Sequence, residues 1–234
     1  MQPGPCPGPA GSGPPAPRAI RARSAGRGVW RALLATERAL VGDATCVAGV
    51  DEAGRGPLAG PVVAAAVVLD PELDWDGIHD SKQLDAGKRE VLYARVIQDA
   101  RAFAWAVVGP RAIDHGDIRR ATLEAMRRAV SRLRLVPTLV LVDGRDVVPG
   151  LLQSQRAVID GDATLLSIAA ASILAKVVRD RIMLRLDRVW PAYGFARHKG
   201  YGTPDHLAAI ARHGPCPLHR YSFSPISQTA LALE

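Results

Sequence analysis

Between Val47 and Gly60 the chain reads Val-Ala-Gly-Val-Asp-Glu-Ala-Gly-Arg-Gly-Pro-Leu-Ala-Gly. A short apolar run delivers two adjacent carboxylates, Asp51 and Glu52, and then breaks into glycine. Successive side chains of a strand point to opposite faces, so neighbouring acids inside one cannot share a ligand. They converge only where the strand stops, and Gly54 and Gly56 are residues that stop it. Glycine also lets the main chain come close to a ligand, and Arg55 between the two is a fixed cation for phosphate. The plainer alternative is a strand end with a solvated acid pair and a tight turn.

The rest of the chain arranges itself around this stretch. Residues 1–28 are rich in Pro, Gly and Ala and end in Arg18, Arg21, Arg23 and Arg27. Such a segment buries too little surface to fold, which predicts a disordered tail. Trp30–Val41 reads as a short helix. Cys46–Val50 and Pro61–Leu69 read as buried strands, followed by a loop over 70–84 that contains Asp80-Ser81-Lys82. Asp85–Gln98 has helical spacing, Arg101–Val108 alternates as a third strand, and Ile118–Leu133 is an amphipathic helix with arginines outward. Thr138–Val142 is an apolar strand that runs into Asp143-Gly144, repeating the opening device of strand, acid, glycine. Arg156–Ile159 is one more short strand. Ala163–Trp190 reads as one long helix whose small residues (Ala169, Ala170, Ala171, Ser172, Ala175) let it lie close against the sheet. A short helix near Pro204–Arg212 follows. The pattern is α/β with an antiparallel opening, and the Ile118–Leu133 helix serves as the crossover to a parallel neighbour.

If the strands that end at Asp51 and Asp143 are parallel neighbours, three carboxylates meet on one edge of the sheet. Like charges so close need a positive partner. Carboxylate oxygens without His or Cys select Mg²⁺ or Mn²⁺. Asp162, at the entry to the long helix, either turns back to the same edge or only caps the helix. Four acids suit a pair of ions roughly 3.5–4 Å apart that flank a phosphodiester. Asp180 lies four residues after Lys176 on one helix face, which points to an ion pair within the helix instead. Lys82 is either a phosphate ligand or a loop charge.

The formal net charge of +7 makes a polyanion such as nucleic acid the obvious partner. Only Lys82, Lys88, Lys176 and Lys199 are lysines, so the excess is almost entirely arginine. Three cysteines without CxxC spacing argue against a disulfide framework or a zinc ribbon, and for a reducing, cytoplasmic compartment. The apolar run Pro61–Leu69 is far short of a membrane span, and no GxxxxGK[ST] loop occurs.

Taken together, these motifs resemble the ribonuclease HII family, the type 2 ribonucleases H. The resemblance rests on 47–62, Asp80-Ser81-Lys82-Gln83-Leu84, Ala121–Met126, Val142-Asp143-Gly144, Gly161-Asp162-Ala163, Ser167–Val177 and Arg179-Asp180-Arg181. It continues through His198-Lys199-Gly200-Tyr201-Gly202-Thr203, His206 and His219–Phe223, and runs from about 45 to 225. It implies a ribonuclease H-like fold: a mixed central sheet flanked by helices, catalytic over 29–190, with a C-terminal helical, substrate-binding extension over 191–234.

The resemblance also implies a metal-dependent endonuclease, acting as a monomer with Mn²⁺ or Mg²⁺. Such an enzyme cuts the RNA strand of RNA–DNA hybrids and cuts at single ribonucleotides embedded in duplex DNA. It leaves a 5′-phosphate and a 3′-hydroxyl. Asp51, Glu52, Asp143 and Asp162 match the catalytic quartet, the first three as metal ligands. Gly54-Arg55-Gly56 matches a loop whose backbone reads the ribose 2′-hydroxyl, Ser81 and Lys82 match substrate contacts, and Tyr201 matches an aromatic that stacks on the sugar beyond the ribonucleotide. Tyr201 as a packed core aromatic is the alternative. Asp117 stands where the family usually has asparagine. Competing readings are a DNA nuclease or recombinase of the same fold, and a non-enzymatic basic nucleic-acid-binding domain.

Overall fold

The computed structural model describes residues 28–231. The tail expected over 1–28 lies, apart from Gly28, outside the described residues. The apolar runs form strands β1 (Val47–Ala53), β2 (Val62–Val68), β3 (Ala102–Val108) and β4 (Leu139–Asp143), and Ser154–Val158 forms β5. They make one sheet in the order β3-β2-β1-β4-β5. β1 is antiparallel to β2 and parallel to β4, as the antiparallel opening and the later crossover require.

Every residue of β2 is buried, because helices cover both faces of the sheet. Val63, Ala65 and Val67 pack beneath helix α6 (Leu166–Val189), together with α1 (Val29–Val41) and α2 (Ala86–Asp99). Val62, Ala64 and Ala66 face α4 (Ile118–Ser131), which follows the one-turn α3 (Pro110–Asp114). The small residues of α6 act as expected: Ala169, Ala170, Ala171 and Ala175 are fully buried. The approach is so close that a Cβ on Gly49 of β1 would lie 2.2 Å from the Ser167 carbonyl carbon.

Two expectations are corrected. The helix expected over Ala163–Trp190 is broken into a single turn, α5 (Gly161–Thr164), and α6. Leu165 between them is extended, at φ −126° and ψ 134°. The start of α6 is capped from another element: the Glu37 carboxylate of α1 accepts from the Ser167 amide at 2.8 Å and its hydroxyl at 2.9 Å. β1 also runs on through Ala53, three residues past its expected end, so Asp51 and Glu52 belong to its last three residues and lean to opposite faces at the rim.

Among the described residues three α-helices follow α6: α7 (Phe195–His198), α8 (Pro204–His213) and α9 (Ile226–Leu231). Tyr193, Phe195 and Cys216 of this segment pack on Ala59 and on Met183 of α6. Among the described residues no helix is long and apolar enough to cross a membrane.

Candidate active site

The parallel register of β1 and β4 pairs Val50 with Val142. Asp51 and Asp143 are each the next residue, on neighbouring strands about 4.8 Å apart. Asp162 reaches the same rim from α5. The Gly161 amide donates to Asp143 Oδ1 at 2.7 Å, and Lys82 Nζ donates to Asp162 Oδ2 at 2.8 Å. The break at Leu165 therefore has a consequence: it lets the 161–164 turn fold back over the end of β4.

The acids feel one another. Burial raises the Asp51 carboxyl well above the ordinary range, and the charges of Glu52 and Asp143 raise it further. Burial also raises Glu52, against the opposing pull of Arg55. Asp143 is raised by burial and by Asp162. Asp51 is 5% exposed, so little water offsets this repulsion. Arg55 Nη1 lies 3.3 Å from Glu52 Oε1. Asp180 is held elsewhere, 2.8 Å from Lys176 Nζ, as its helical spacing implied.

Among the described residues no three His, Cys, Asp or Glu side chains are gathered so as to hold a metal ion between them. The donor set nevertheless suits a hard divalent cation. Buried or half-buried carboxylates that offer only oxygen and repel one another gain most from such an ion. Asp162 does not cap a helix N-terminus; it lies in the first turn of α5 and is buried.

The other sequence candidates border the same cleft of about 370 Å³. Gly54, Arg55, Gly56, Ser81, Lys82 and Tyr201 line it together with Asp51, Glu52 and Asp143. A larger groove of about 830 Å³ runs along α4 but is lined by none of the four acids, so the chemistry follows the clustered carboxylates rather than volume. Ser81 is buried rather than displayed to the cleft floor as a free hydroxyl; its Oγ lies 2.8 Å from Ser172 Oγ. Tyr201 is 46% exposed, which rules out the packed-core alternative. A Cβ on Gly56 would sit 3.9 Å from the Tyr201 ring, so turn and ring face each other. Asp117 is the N-cap of α4, accepting from the Arg120 amide at 2.8 Å. Asparagine and aspartate cap about equally well, which accounts for the exchange.

Three neighbours of the cleft and its glycine turn are absent from the sequence candidates. Ser172, one of the small residues of the long helix, lines the cleft and meets the Ser81 hydroxyl. Arg179 and Arg220 are both completely buried beside the glycine turn. Neither stands out in the sequence, where Arg179 is followed by Asp180-Arg181 and Arg220 lies between His219 and Tyr221.

The Tyr201 loop rests on a histidine stack. The His198 and His206 rings lie 4.3 Å apart, and His206 Nε2 is 3.1 Å from His219 Nε2. Burial, with His206 adding to it, pulls His219 down to about 4. The unfolded chain then takes up a proton first as pH falls. The His219 contribution is therefore complete above about pH 6.5 and lost toward pH 4, amounting to up to about 3 kcal/mol. Urea unfolding of wild type and His219→Gln at several pH values checks this. The stability gap between them is expected to narrow between pH 7 and 4.5, and a constant gap contradicts it.

The model for the family described as "Ribonuclease HII" matches residues 48–226. A ribonuclease HII of Rhizobium johnstonii is 56% identical over 183 residues, covering 78% of this chain and 80% of that protein. A protein of Methylibium petroleiphilum named ribonuclease HII 1 is 55% identical over 185 residues, covering 79% and 92%. The crystal structure of ribonuclease H2 from Pyrococcus horikoshii OT3 superposes with a TM-score of 0.69 at 30% identity, covering 80% of this chain and 98% of that one. With relatedness of that depth across the span that carries the acids and the glycine turn, the chain belongs to the ribonuclease HII family of metal-dependent endonucleases.

Proposed function

We propose that this endoribonuclease hydrolyses the RNA strand of RNA–DNA hybrids and cuts 5′ of single ribonucleotides embedded in duplex DNA, with Asp51, Glu52, Asp143 and Asp162 as its catalytic acids. The observation that carries the reading is the parallel register of β1 with β4, which sets buried Asp51 and half-buried Glu52 and Asp143 on one rim of the sheet with their charges opposed. A divalent cation relieves that repulsion, and the all-oxygen donors favour Mg²⁺ or Mn²⁺. When bound, such cations lower the pKa of water and neutralise charge on the phosphate and the leaving oxygen.

The chain's own residues supply the rest. Asp51, Glu52 and Asp143 hold the cations. Asp162, paired with Lys82, completes the acidic rim. Lys82 is 78% exposed at its side chain and is free to swing from Asp162 toward an incoming phosphate. The turn Gly54–Gly56 brings backbone donors to the ribose, whose 2′-hydroxyl is what separates RNA from DNA at a given position. Tyr201, exposed across from that turn, offers a ring on which the next sugar stacks. The arginine excess supports binding to the duplex backbone.

Cleavage of a duplex DNA with one ribonucleotide tests this directly. With Mg²⁺ or Mn²⁺ one cut 5′ of the ribonucleotide is expected, leaving a 3′-hydroxyl and a 5′-phosphate, and chelator abolishes it. Cutting of the all-deoxy duplex instead points to a DNA nuclease, and binding without any cutting to a non-enzymatic domain. Tyr201→Ala is expected to lower kcat/KM on the single-ribonucleotide duplex by about tenfold, the worth of one stacking contact. Its effect on a uniform hybrid is expected to be much smaller, and equal losses on both substrates contradict the stacking role.

A further inference from the structure

Two guanidiniums stand behind the glycine turn, and among the described residues neither makes a salt bridge, Asp180 and Asp114 acting on them only at longer range. Arg220 is fully buried. Its Nη2 donates to Gly54 O at 2.5 Å, its Nη1 to Arg55 O at 2.7 Å and its Nε to Gly60 O at 3.1 Å. Arg179 takes the carbonyls that follow: Nε to Pro61 O at 3.0 Å and Nη2 to Ala59 O at 3.2 Å. The same Nη2 reaches Lys199 O at 3.0 Å, two residues before Tyr201. Burying an unpaired charge is costly, and burial with Arg179 nearby pulls Arg220 down to about 9.

The geometry of the peptide unit says what they achieve. In a planar trans peptide the C=O and the following N–H point in opposite directions. With the Gly54 and Arg55 carbonyls drawn onto Arg220, the Arg55 and Gly56 amides are turned away from it. Among the described residues neither amide donates to the protein. Glycine is needed at 54 for this approach: its φ is +98°, and a Cβ there would lie 2.0 Å from Arg179 Nε.

We infer that Arg220, seconded by Arg179, is a positioning residue for ribose selection: it holds the turn by its carbonyls so that the Arg55 and Gly56 amides face the 2′-hydroxyl. The inference rests on the reading of Gly54–Gly56 as the ribose-sensing turn. Arg179 extends the clamp to the Tyr201 loop, so both substrate-facing elements hang from one buried pair. Lysine keeps the charge but not the fork.

The test compares Kd for duplex DNA with one ribonucleotide and for the same duplex all-deoxy, with cleavage blocked by chelator. Amide hydrogen exchange is measured in parallel. In Arg220→Lys the preference for the ribonucleotide duplex is expected to fall about tenfold, as loss of a pair of hydrogen bonds implies. All-deoxy binding is expected to hold, and exchange to quicken over 54–61 but not in α4. Should Arg220→Lys fail to fold, Phe223→Leu serves, since the Phe223 ring lies 5.0 Å from the Arg220 guanidinium. It is expected to lower the preference about threefold by loosening the clamp without cutting its bonds. If wild type itself shows no preference, the ribose-sensing turn fails and the inference with it. If wild type prefers the ribonucleotide duplex and the folded variant keeps that preference in full, the clamp alone is overturned.

Discussion

Asp51→Asn is expected to lower kcat on a duplex DNA carrying one ribonucleotide by at least about 10³, or some 4 kcal/mol of transition-state stabilisation. The side chain is nearly isosteric, so packing against α6 survives. The buried charge is what disappears, along with its share of the repulsion that a cation on this rim would relieve. Kd for the duplex is expected to change by less than about threefold, because phosphate contacts dominate such binding. The arginines that make them are untouched. Single-turnover cleavage beside an anisotropy titration separates the two effects. Retained turnover in the variant rules out Asp51 as a ligand.

Gly49→Ala is expected to be the most destabilising small substitution in the core. The added methyl would meet Ser167 C at 2.2 Å and Ile168 N at 2.4 Å, both main-chain atoms of α6. No side-chain rotation relieves that contact. β1 and α6 must separate, and both carry the site: Asp51 on the one, Ser172 and Arg179 on the other. Overpacking of this kind costs about 3 kcal/mol or more. For a chain of this size that corresponds to a fall in Tm of about 6–12 °C. Differential scanning calorimetry checks it, and an unchanged Tm would mean that helix and strand lie further apart than described.

Much of this was legible in the sequence, for identifiable reasons. Unbroken apolar runs such as Val62–Val68 have no other stable use than a strand buried on both faces. The run of alanines in α6 announced a close helix–sheet approach. The repeated device of strand, acid and glycine placed Asp51 and Asp143 at comparable strand ends, and the register of β1 with β4 brings them side by side.

What was not legible depends on distant partners. Leu165 is a good helix former, so nothing local marks the break before α6. The break is stabilised by Glu37, 130 residues upstream, which caps Ser167. The overrun of β1 was missed because two adjacent acids looked incompatible with a strand. They are compatible at its end, where Asp51 faces α6, Glu52 faces α4, and the rim between is open to both. Arg220 was invisible because a guanidinium that binds carbonyls leaves no complementary acid in the sequence to pair it with.

The account stands on the ability of Asp51, Glu52 and Asp143 to hold divalent cations in the folded chain. Calorimetric titration of Mn²⁺ into wild type and Asp143→Asn, without nucleic acid, measures that most directly. Saturable binding to wild type, weakened at least about tenfold in the variant, is the predicted result. Equal affinity in the two proteins would contradict it.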